Sequence, residues 1–293
     1  MGFRTVIIKN RAKLEVRLNN LIIRGEQEKK VFLDEINTLI IQSTAVSLTA
    51  SLLCELMRKN IKVVFCDEKH NPQSELLPYY GAHNTPKRYK EQFLWDNSIK
   101  SLVWQVIIKK KIELQAEHLI ELGYIEQGNL LNSYISQVEE HDQTNREGHA
   151  AKVYFNCILG MGNSRKDNTF LNSCLNYGYT ILLSAFNREI TASGYLTQLG
   201  IWHDNEFNQF NLACDLMEPF RIIVDKTALS IEDNDKEFKK KMVNVLNYKT
   251  LIDGKNTTLD LAIRQYTRSV LHALNQNNEK LIIFPERISS NEL

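Results

Sequence analysis

The sequence has few cysteines and no long apolar run, whereas abundant cysteines and long apolar runs are features that mark secreted and membrane proteins. Its 293 residues include five cysteines, and no two of them form a CxxC pair. All five lie among apolar neighbours, as reduced core cysteines do, which argues against a disulfide framework or a zinc ribbon. Apolar runs such as "TVIIK" and "LIIQ" are too short to span a bilayer. The N-terminus "MGFRTVIIKN" lacks the apolar core of a secretory signal. We therefore expect a cytoplasmic protein with no membrane partner.

Neither sign of charge is in excess, because 36 lysines and arginines face 35 acidic residues for a net charge of +1. This balance points to no partner, so any nucleic-acid contact must come from local basic patches. Candidate patches are "PKRYK" at 86–90, "KKK" at 109–111, "KKK" at 239–241, and the pair Arg264 and Arg268. Such runs are more often solvated helix faces than phosphate-binding tracks.

Proline is scarce and unevenly spread, at positions 72, 78, 86, 219 and 285 only. The long proline-free stretch after position 86 has apolar residues at i, i+3 and i+4 spacing, which predicts helices. Before position 72, short apolar or alternating runs predict strands, with one helix near 47–59. We predict an α+β multi-domain protein. It has a small β-rich N-terminal domain (1–71), a linker (72–90) and a larger all-α C-terminal domain (91–293), which carries the candidate catalytic residues.

The stretch "GIWHDNEFNQFNLACDLMEPFR" at 200–221 places two acids in an otherwise apolar helix. Asn208 is a residue type that often caps a helix N-terminus, so we expect the helix to begin there. Asn211, Asp215 and Glu218 then follow at i, i+4 and i+7 and share one narrow stripe. The apolar residues around them cover most of the helix circumference, which indicates burial.

Buried carboxylates three residues apart repel each other and need a compensating cation. The sequence leaves two possibilities open. Glu218 and Asp215 could form ion pairs with Arg221 or with a more distant base, or they could bind a metal ion. Pro219 adds that Glu218 lies at a kink or at a helix end, because the residue before a proline is disfavoured in helical geometry.

A third acid and several polar residues lie on other predicted helices. In "NREGHAAKVYFNCIL" (145–159), Glu147 heads the apolar face, although a first-turn glutamate is also favoured by the helix dipole alone. In "DNTFLNSCLNYGYTILLSAF" (167–186), Asn172 and Tyr177 lie among apolar residues. Such buried groups either support a functional site from behind or satisfy one another in the core.

Four motifs occur in a fixed order: "NREGHAAKVYF", "LNYGY", "GIWH" and "FNLACDLMEPFR". Together they resemble the CRISPR-associated adaptation integrases (the "Cas-one" family), and in particular the type II subtype, which accompanies a single-protein RNA-guided effector. The resemblance covers essentially the whole chain. It departs from the family pattern at Asn168, where many relatives have proline, and at Gln209, which interrupts the usual "NPFN". Neither position is a proposed ligand.

The resemblance implies a metal-dependent DNA integrase of CRISPR adaptation, which acquires spacers for antiviral defence. Such an enzyme joins the 3′-hydroxyl ends of a short duplex into a repeat array by transesterification. Glu147, His203 and Glu218 match the family's catalytic metal ligands, and Asp215 matches an additional acid at the edge of the site. Two carboxylates and one imidazole suit Mg²⁺ or Mn²⁺. His203 could instead shuttle a proton, but we favour a ligand role.

The same resemblance implies partners that composition does not show. These are DNA (a prespacer duplex and the repeat array), a second copy of the chain, a small companion adaptation protein ("Cas-two"), a further adaptation protein and the RNA-guided effector. Candidate DNA-contacting residues are Lys87, Arg88, Arg146, Arg264 and Arg268. Two alternatives remain open. One is a metal-dependent, structure-specific DNA endonuclease that uses water as nucleophile. The other is a non-enzymatic nucleic-acid-binding scaffold whose acids form structural ion pairs.

Overall fold

The computed structural model describes residues 4–78, 82, 84–142 and 144–288. The chain divides into two units, Met1–Gly81 and Ala82–Leu293, so the division falls within the predicted linker at 72–90. Part of that predicted linker is regular structure. A strand at Pro72–Glu75 pairs with the strand before it, and a helix covers Thr85–Phe93. Proline can begin such an edge strand. It has no backbone N–H to donate, and an edge strand needs no donor on the side that has no neighbouring strand.

The alternating and apolar runs of the first unit form strands around one helix, as predicted. The strands are β1 (Arg4–Ile8), β2 (Ala12–Arg17), β3 (Asn20–Arg24), β4 (Glu28–Phe32), β5 (Ile36–Ile41), β6 (Val46–Leu48), β7 (Lys62–Cys66) and β8 (Pro72–Glu75), and the helix is α1 (Ala50–Arg58). They form two four-stranded sheets, in the orders β1-β5-β7-β8 and β4-β3-β2-β6. Strands β1, β5 and β7 are parallel, whereas β2, β3 and β4 form an antiparallel meander.

The hairpin between β2 and β3 shows how local sequence sets this topology. Leu18 and Asn19 both have positive φ, 45° and 62°, which is the pattern of a two-residue type I′ turn. Asparagine tolerates that conformation well, and Leu18 is 95% exposed at the tip. The inward residues of both sheets and of α1 meet in one core, which includes Leu14, Leu39 and Leu52.

The second unit is mainly helical, and the predicted fold class is confirmed. Its helices are α2 (Thr85–Phe93), α3 (Asn97–Glu121), α4 (Ile125–Ile135), α5 (Arg146–Leu159), α6 (Phe170–Ala192), α7 (Asn211–Met217), α8 (Arg221–Leu229), α9 (Phe238–Asn244) and α10 (Leu259–Gln276). It also contains a small sheet that the prediction missed, with strands β9 (Lys249–Ile252), β10 (Lys255–Thr258) and β11 (Arg287–Ile288) in the order β10-β9-β11. The turn between β9 and β10 is Asp253–Gly254, both at positive φ.

Helix α3 is the central element of this unit. Asp96 caps its N-terminus by accepting hydrogen bonds from the backbone N–H groups of Ser98 and Ile99. Fully buried residues recur along its length, including Trp104 and Ile112. Among the helices that the structure describes, none combines the length and apolarity needed to cross a membrane.

Helix α6 packs closely against α8 and α9 at Gly178. A Cβ atom at this position would lie 2.5 Å from Val224 Cγ1 and 2.8 Å from Met242 Sδ. The lack of a side chain therefore permits the close approach, although glycine inside a helix costs about 1 kcal/mol relative to alanine.

We predict that Gly178→Ala lowers the free energy of unfolding by about 1–3 kcal/mol, because overpacking outweighs the gain in helix propensity. The midpoint of thermal or urea unfolding measures the effect. Ser173→Ala is the matched control, since Ser173 lies exposed on the same helix. A Gly178→Ala variant as stable as this control would show that the helices are not closely packed here.

Candidate active site

Asp215 fixes the loop that carries His203. The Asp215 side chain on α7 is fully buried. Its carboxylate accepts hydrogen bonds from the backbone N–H groups of Ile201 (2.7 Å), Trp202 (3.1 Å) and His203 (3.1 Å). It is also 2.5 Å from His203 Nδ1. Asp215 therefore sets both the backbone and the ring orientation of His203.

This loop requires glycine at position 200. A Cβ atom there would lie 2.3 Å from the carbonyl oxygen of His203 and 2.7 Å from Asp215 Oδ2. Any side chain would push the loop away from the carboxylate that holds it. The motif "GIWH" thus places a glycine, three backbone N–H donors and the imidazole of His203 around one buried acid.

The environment of His203 favours its protonated form. The hydrogen bond to Asp215 raises the pKa of His203 despite partial burial, and the charges of Glu218 and Glu147 act in the same direction. The His203 ring packs edge-on against Trp104, with 5.7 Å between ring centroids. Because Asp215 engages Nδ1, the imidazole Nε2 is the nitrogen available for a ligand or a proton.

Glu218 lies where Pro219 predicts, at the end of a helix. Helix α7 stops at Met217, and Glu218 begins a 3₁₀ turn. The predicted helix start at Asn208 is wrong: α7 begins at Asn211, because Asn208 accepts the N–H of Phe210 in a turn before the helix. Such short-range bonding of asparagine competes with a helix cap.

Two bases compensate the buried Glu218 carboxylate. Arg221 Nε is 2.9 Å from Glu218 Oε1, and Lys111 Nζ is 2.6 Å from Glu218 Oε2. Burial opposes ionisation, but the charges of Lys111 and Arg221 outweigh it and lower the pKa of Glu218 to about 2. Glu218 is therefore a permanently charged group at neutral pH.

The same lysine reaches Glu147 from the opposite side. Lys111 Nζ donates a hydrogen bond of 2.7 Å to Glu147 Oε1. At the start of α5, Asp142 accepts the N–H groups of Arg146 and Glu147, and Asn145 accepts that of Gly148. Because other side chains cap the helix, the Glu147 carboxylate is free to point towards α3.

Glu147 and Glu218 thus converge on one cation position, which the Lys111 ammonium occupies. Ion pairing with Arg221 and a more distant base, one of the two possibilities left open by the sequence, is present in the structure. Lys111 remains charged, since the two carboxylates raise its pKa despite the opposing effect of burial.

The candidate site contains the types of ligand atom that a divalent ion binds. Carboxylate oxygens and an imidazole nitrogen are ligands of Mg²⁺ and Mn²⁺. Glu218 Oε2, whose contact is the Lys111 ammonium at 2.6 Å, is one such oxygen. With Lys111 in place, however, the described part of the chain holds no group of three His, Cys, Asp or Glu side chains arranged around a metal position. The cation that lies between Glu147 and Glu218 in the structure is the Lys111 ammonium.

Comparisons with known proteins agree with this arrangement of motifs. The sequence profile described as "CRISPR associated protein Cas1" matches residues 5–258. The chain belongs to the Cas1 family. It is 31% identical over 294 residues to a "CRISPR-associated endonuclease Cas1" of Neisseria meningitidis serogroup C (strain 8013), covering 98% of this chain and 97% of that protein.

Solved structures share the fold of this Cas1-family chain. One is a "Casposase bound to integration product", with a TM-score of 0.77 and 21% identity, covering 99% of this chain and 96% of that one. Another is a chain of a "Cas6-RT-Cas1--Cas2 complex", with a TM-score of 0.74 and 16% identity, covering 100% of this chain and 36% of that one.

Asn172 and Tyr177, which the sequence predicts to support the site, both lie on α6. Asn172 Oδ1 accepts a hydrogen bond from Arg165, whose guanidinium lies over the same Tyr179 ring as that of Arg221. Asn172 donates hydrogen bonds to the carbonyl oxygens of Ser164 (2.9 Å) and Asp167 (2.8 Å), so it ties the preceding loop to the helix. The Tyr177 ring packs against Phe238 of α9. Helical spacing put these residues on one helix but could not identify the segments that pack against it.

Two of the predicted DNA-contacting residues, Lys87 and Arg88, lie on α2 and share an acidic partner. Arg88 is 2.8 Å from Glu91 and Lys87 is 3.7 Å from it. Arg88 also lines a cavity of about 360 Å³ together with Arg268 and His272. This cavity brings predicted bases from α2 and α10 together.

The other two predicted bases have structural contacts. Arg264 Nε is 3.2 Å from Glu189 in a half-buried ion pair. Arg264 and Arg268 lie one helical turn apart on α10, but their environments differ, because Arg268 lines the cavity and Arg264 is paired with an acid. The Arg146 guanidinium lies over the Tyr134 ring, with 5.2 Å to the ring centroid. An arginine held against an aromatic ring in this way contributes to packing, because the aliphatic part of its side chain lies along apolar surface.

Sequence reasoning missed a buried polar network behind Arg221. The Arg221 guanidinium lies over the Tyr179 ring, 4.8 Å from its centroid, and the Tyr179 hydroxyl donates a hydrogen bond to Asp225. Asp225 also bonds with Tyr154, whose hydroxyl lies 2.7 Å from His118 Nδ1. Burial raises the pKa of Asp225 to about 6.

The raised pKa of Asp225 makes stability depend on pH. The folded chain binds a proton at Asp225 more readily than the unfolded chain, so the contribution of Asp225 to stability falls as pH rises from about 4 to about 6. His118 acts in the opposite direction, because burial lowers its pKa to about 4. We predict that Asp225→Asn removes the contribution of Asp225. Between about pH 4 and about pH 6, the free energy of unfolding of the variant should fall by about 3 kcal/mol less than that of wild type. Unfolding free energies of wild type and variant, measured between pH 4 and pH 7, give the difference. A variant that follows the wild-type pH dependence would contradict the assignment.

Proposed function

We propose that this chain is a metal-dependent DNA integrase of CRISPR adaptation. In this reaction the 3′-hydroxyl ends of a short DNA duplex attack phosphodiester bonds of a repeat array. One observation carries the proposal: Glu147 and Glu218, far apart in the sequence, share one buried cation position next to His203. Family membership and the fold shared with a casposase bound to its integration product support the same reaction.

The ligands of the ion would be Glu147, Glu218 and Nε2 of His203. A bound Mg²⁺ or Mn²⁺ would lower the pKa of the attacking hydroxyl and offset negative charge on the phosphate in the transition state. Asp215 holds the imidazole by Nδ1 and so keeps Nε2 directed away from itself. Arg221 fixes the Glu218 carboxylate through Oε1 and leaves Oε2 for a cation.

The proposed partners are DNA and a small companion protein of the Cas2 type. A solved complex that contains both Cas1 and Cas2 chains shares the fold, which supports the second partner. We further propose a homodimer, with a further adaptation protein and the RNA-guided effector of the type II subtype in the larger assembly. These last proposals rest on the resemblance of the four sequence motifs.

A second function is favoured by one specific finding. The Neisseria relative, 31% identical over nearly the whole chain, is described as an endonuclease. The same three ligands would then serve hydrolysis, with water in place of the 3′-hydroxyl as nucleophile. A non-enzymatic scaffold is a third possibility, since the ion pairs of Lys111 and Arg221 already compensate the acids.

An integration assay separates these functions. The chain is combined with its companion protein, a duplex with free 3′-hydroxyl ends, a repeat-containing target and Mn²⁺. We expect covalently joined products from the wild type, and a loss of about 100-fold or more in Glu147→Gln and Glu218→Gln, because the metal contributes several kcal/mol to the transition state. Glutamine keeps the shape of each side chain while removing its charge.

Glu113→Gln is the matched control, since Glu113 lies on α3 and pairs with Lys110 outside the site. This variant should join DNA at the wild-type rate. Cleaved but unjoined DNA would favour the endonuclease. DNA binding without any product, in the presence or absence of metal, would favour the scaffold. Full activity of Glu218→Gln would refute the assignment of the site.

A further inference from the structure

Lys111 is the cation at the centre of the candidate site, although it belongs to a run of three lysines. Lys109 and Lys110 are partly exposed, whereas Lys111 is 8% exposed on the inner side of α3. Its ammonium lies 2.7 Å from Glu147 and 2.6 Å from Glu218. The side chain therefore occupies the position between the two carboxylates that the proposed function assigns to a metal ion.

The two bases next to Glu218 differ in how firmly they are held. The guanidinium of Arg221 is bonded to Glu218 Oε1 and packs on the face of Tyr179, whose hydroxyl is bonded to buried Asp225. Lys111 reaches the site on a flexible four-carbon stem, and its contacts there are the carboxylates of Glu147 and Glu218. Of the two cations, Lys111 is therefore the one with the more flexible attachment.

We propose that Lys111 is a built-in placeholder cation, which holds Glu147 and Glu218 together in the absence of a divalent ion and competes with that ion for their shared position. The inference rests on the proposed metal-dependent function and specifies how its site is controlled. Without an internal cation, two carboxylates at this position would repel each other in a poorly solvated place.

The Lys111 ammonium between Glu147 and Glu218 has two consequences for metal binding. The site keeps its ligands converged before metal arrives, because the ammonium already attracts both carboxylates. The same ammonium weakens metal binding, because the ion must displace a favourable ion pair in a region of low dielectric. Metal binding is then expected to release the Lys111 ammonium from the carboxylates.

The test is Mn²⁺ binding by the 293-residue chain, monitored by the electron paramagnetic resonance signal of free Mn²⁺. Lys111→Met keeps an unbranched side chain that is one atom shorter and removes its charge. We expect this variant to bind Mn²⁺ about ten-fold more tightly than wild type, and to unfold at a lower temperature when no metal is present. Lys110→Met, a neighbour on the same helix that pairs with Glu113, is the control and should change neither quantity.

Two further measurements keep the inference testable if Lys111→Met does not fold. Lys111→Arg retains the charge and can contact both carboxylates with a planar fork, so it should bind Mn²⁺ more weakly than wild type. In the wild type itself, reductive methylation followed by mass spectrometry reports access to each lysine. Mn²⁺ should increase the labelling of Lys111 and leave that of Lys110 unchanged.

The outcomes distinguish this inference from the proposed function. If wild type binds Mn²⁺ and Lys111→Met binds it equally or more weakly, Lys111 is not a competitor and the inference is overturned while the function stands. Unchanged labelling of Lys111 on saturation with Mn²⁺ overturns it as well. If neither protein binds Mn²⁺ and neither joins DNA, the metal-dependent function fails and the inference with it.

Discussion

The second unit of this protein is organised around a group of four charges, in which Lys111 and Glu218 are buried and Glu147 and Arg221 are half-buried. An isolated carboxylate in such a place would cost several kcal/mol, so each charge is tolerable only because the others are present. The four residues come from α5, α3, the 3₁₀ turn after α7, and α8. Their convergence therefore constrains how these elements pack. A site of this kind is costly to maintain as structure alone, because apolar residues of similar volume are often as stabilising.

A second buried acid sets the histidine beside this group. Asp215 uses three backbone N–H groups and the imidazole Nδ1 of His203 to fix one short loop, and Gly200 makes room for it. The two acids of the helix "NLACDLMEPF" thus have different tasks. Asp215 faces inward and orients His203, whereas Glu218, turned by Pro219, faces the shared cation position.

Much of the fold could be predicted from the sequence because the signals are local. Alternating runs marked the strands of the first unit, the absence of proline marked the helices of the second, and Pro219 marked the end of α7. The candidate ligands Glu147, His203 and Glu218 came from motif order. Lys111 was missed, although its helical spacing from Ile107 and Ile108 places it on the buried face of α3. Spacing within one helix does not show that Glu147 and Glu218, which are distant in the sequence, meet this lysine. The partners of Asn172 and Tyr177 escaped prediction for a related reason, since they lie on segments distant in the sequence.

The central claim is that Glu147 and Glu218 share a position for one cation, and that this position accepts a divalent ion. Anomalous X-ray scattering from a crystal of the chain with Mn²⁺ locates the ion directly. The account predicts a single peak bonded to both carboxylates and to His203 Nε2, with the Lys111 ammonium moved away. An ion bound elsewhere, with Lys111 still bridging Glu147 and Glu218 at saturating Mn²⁺, would contradict it.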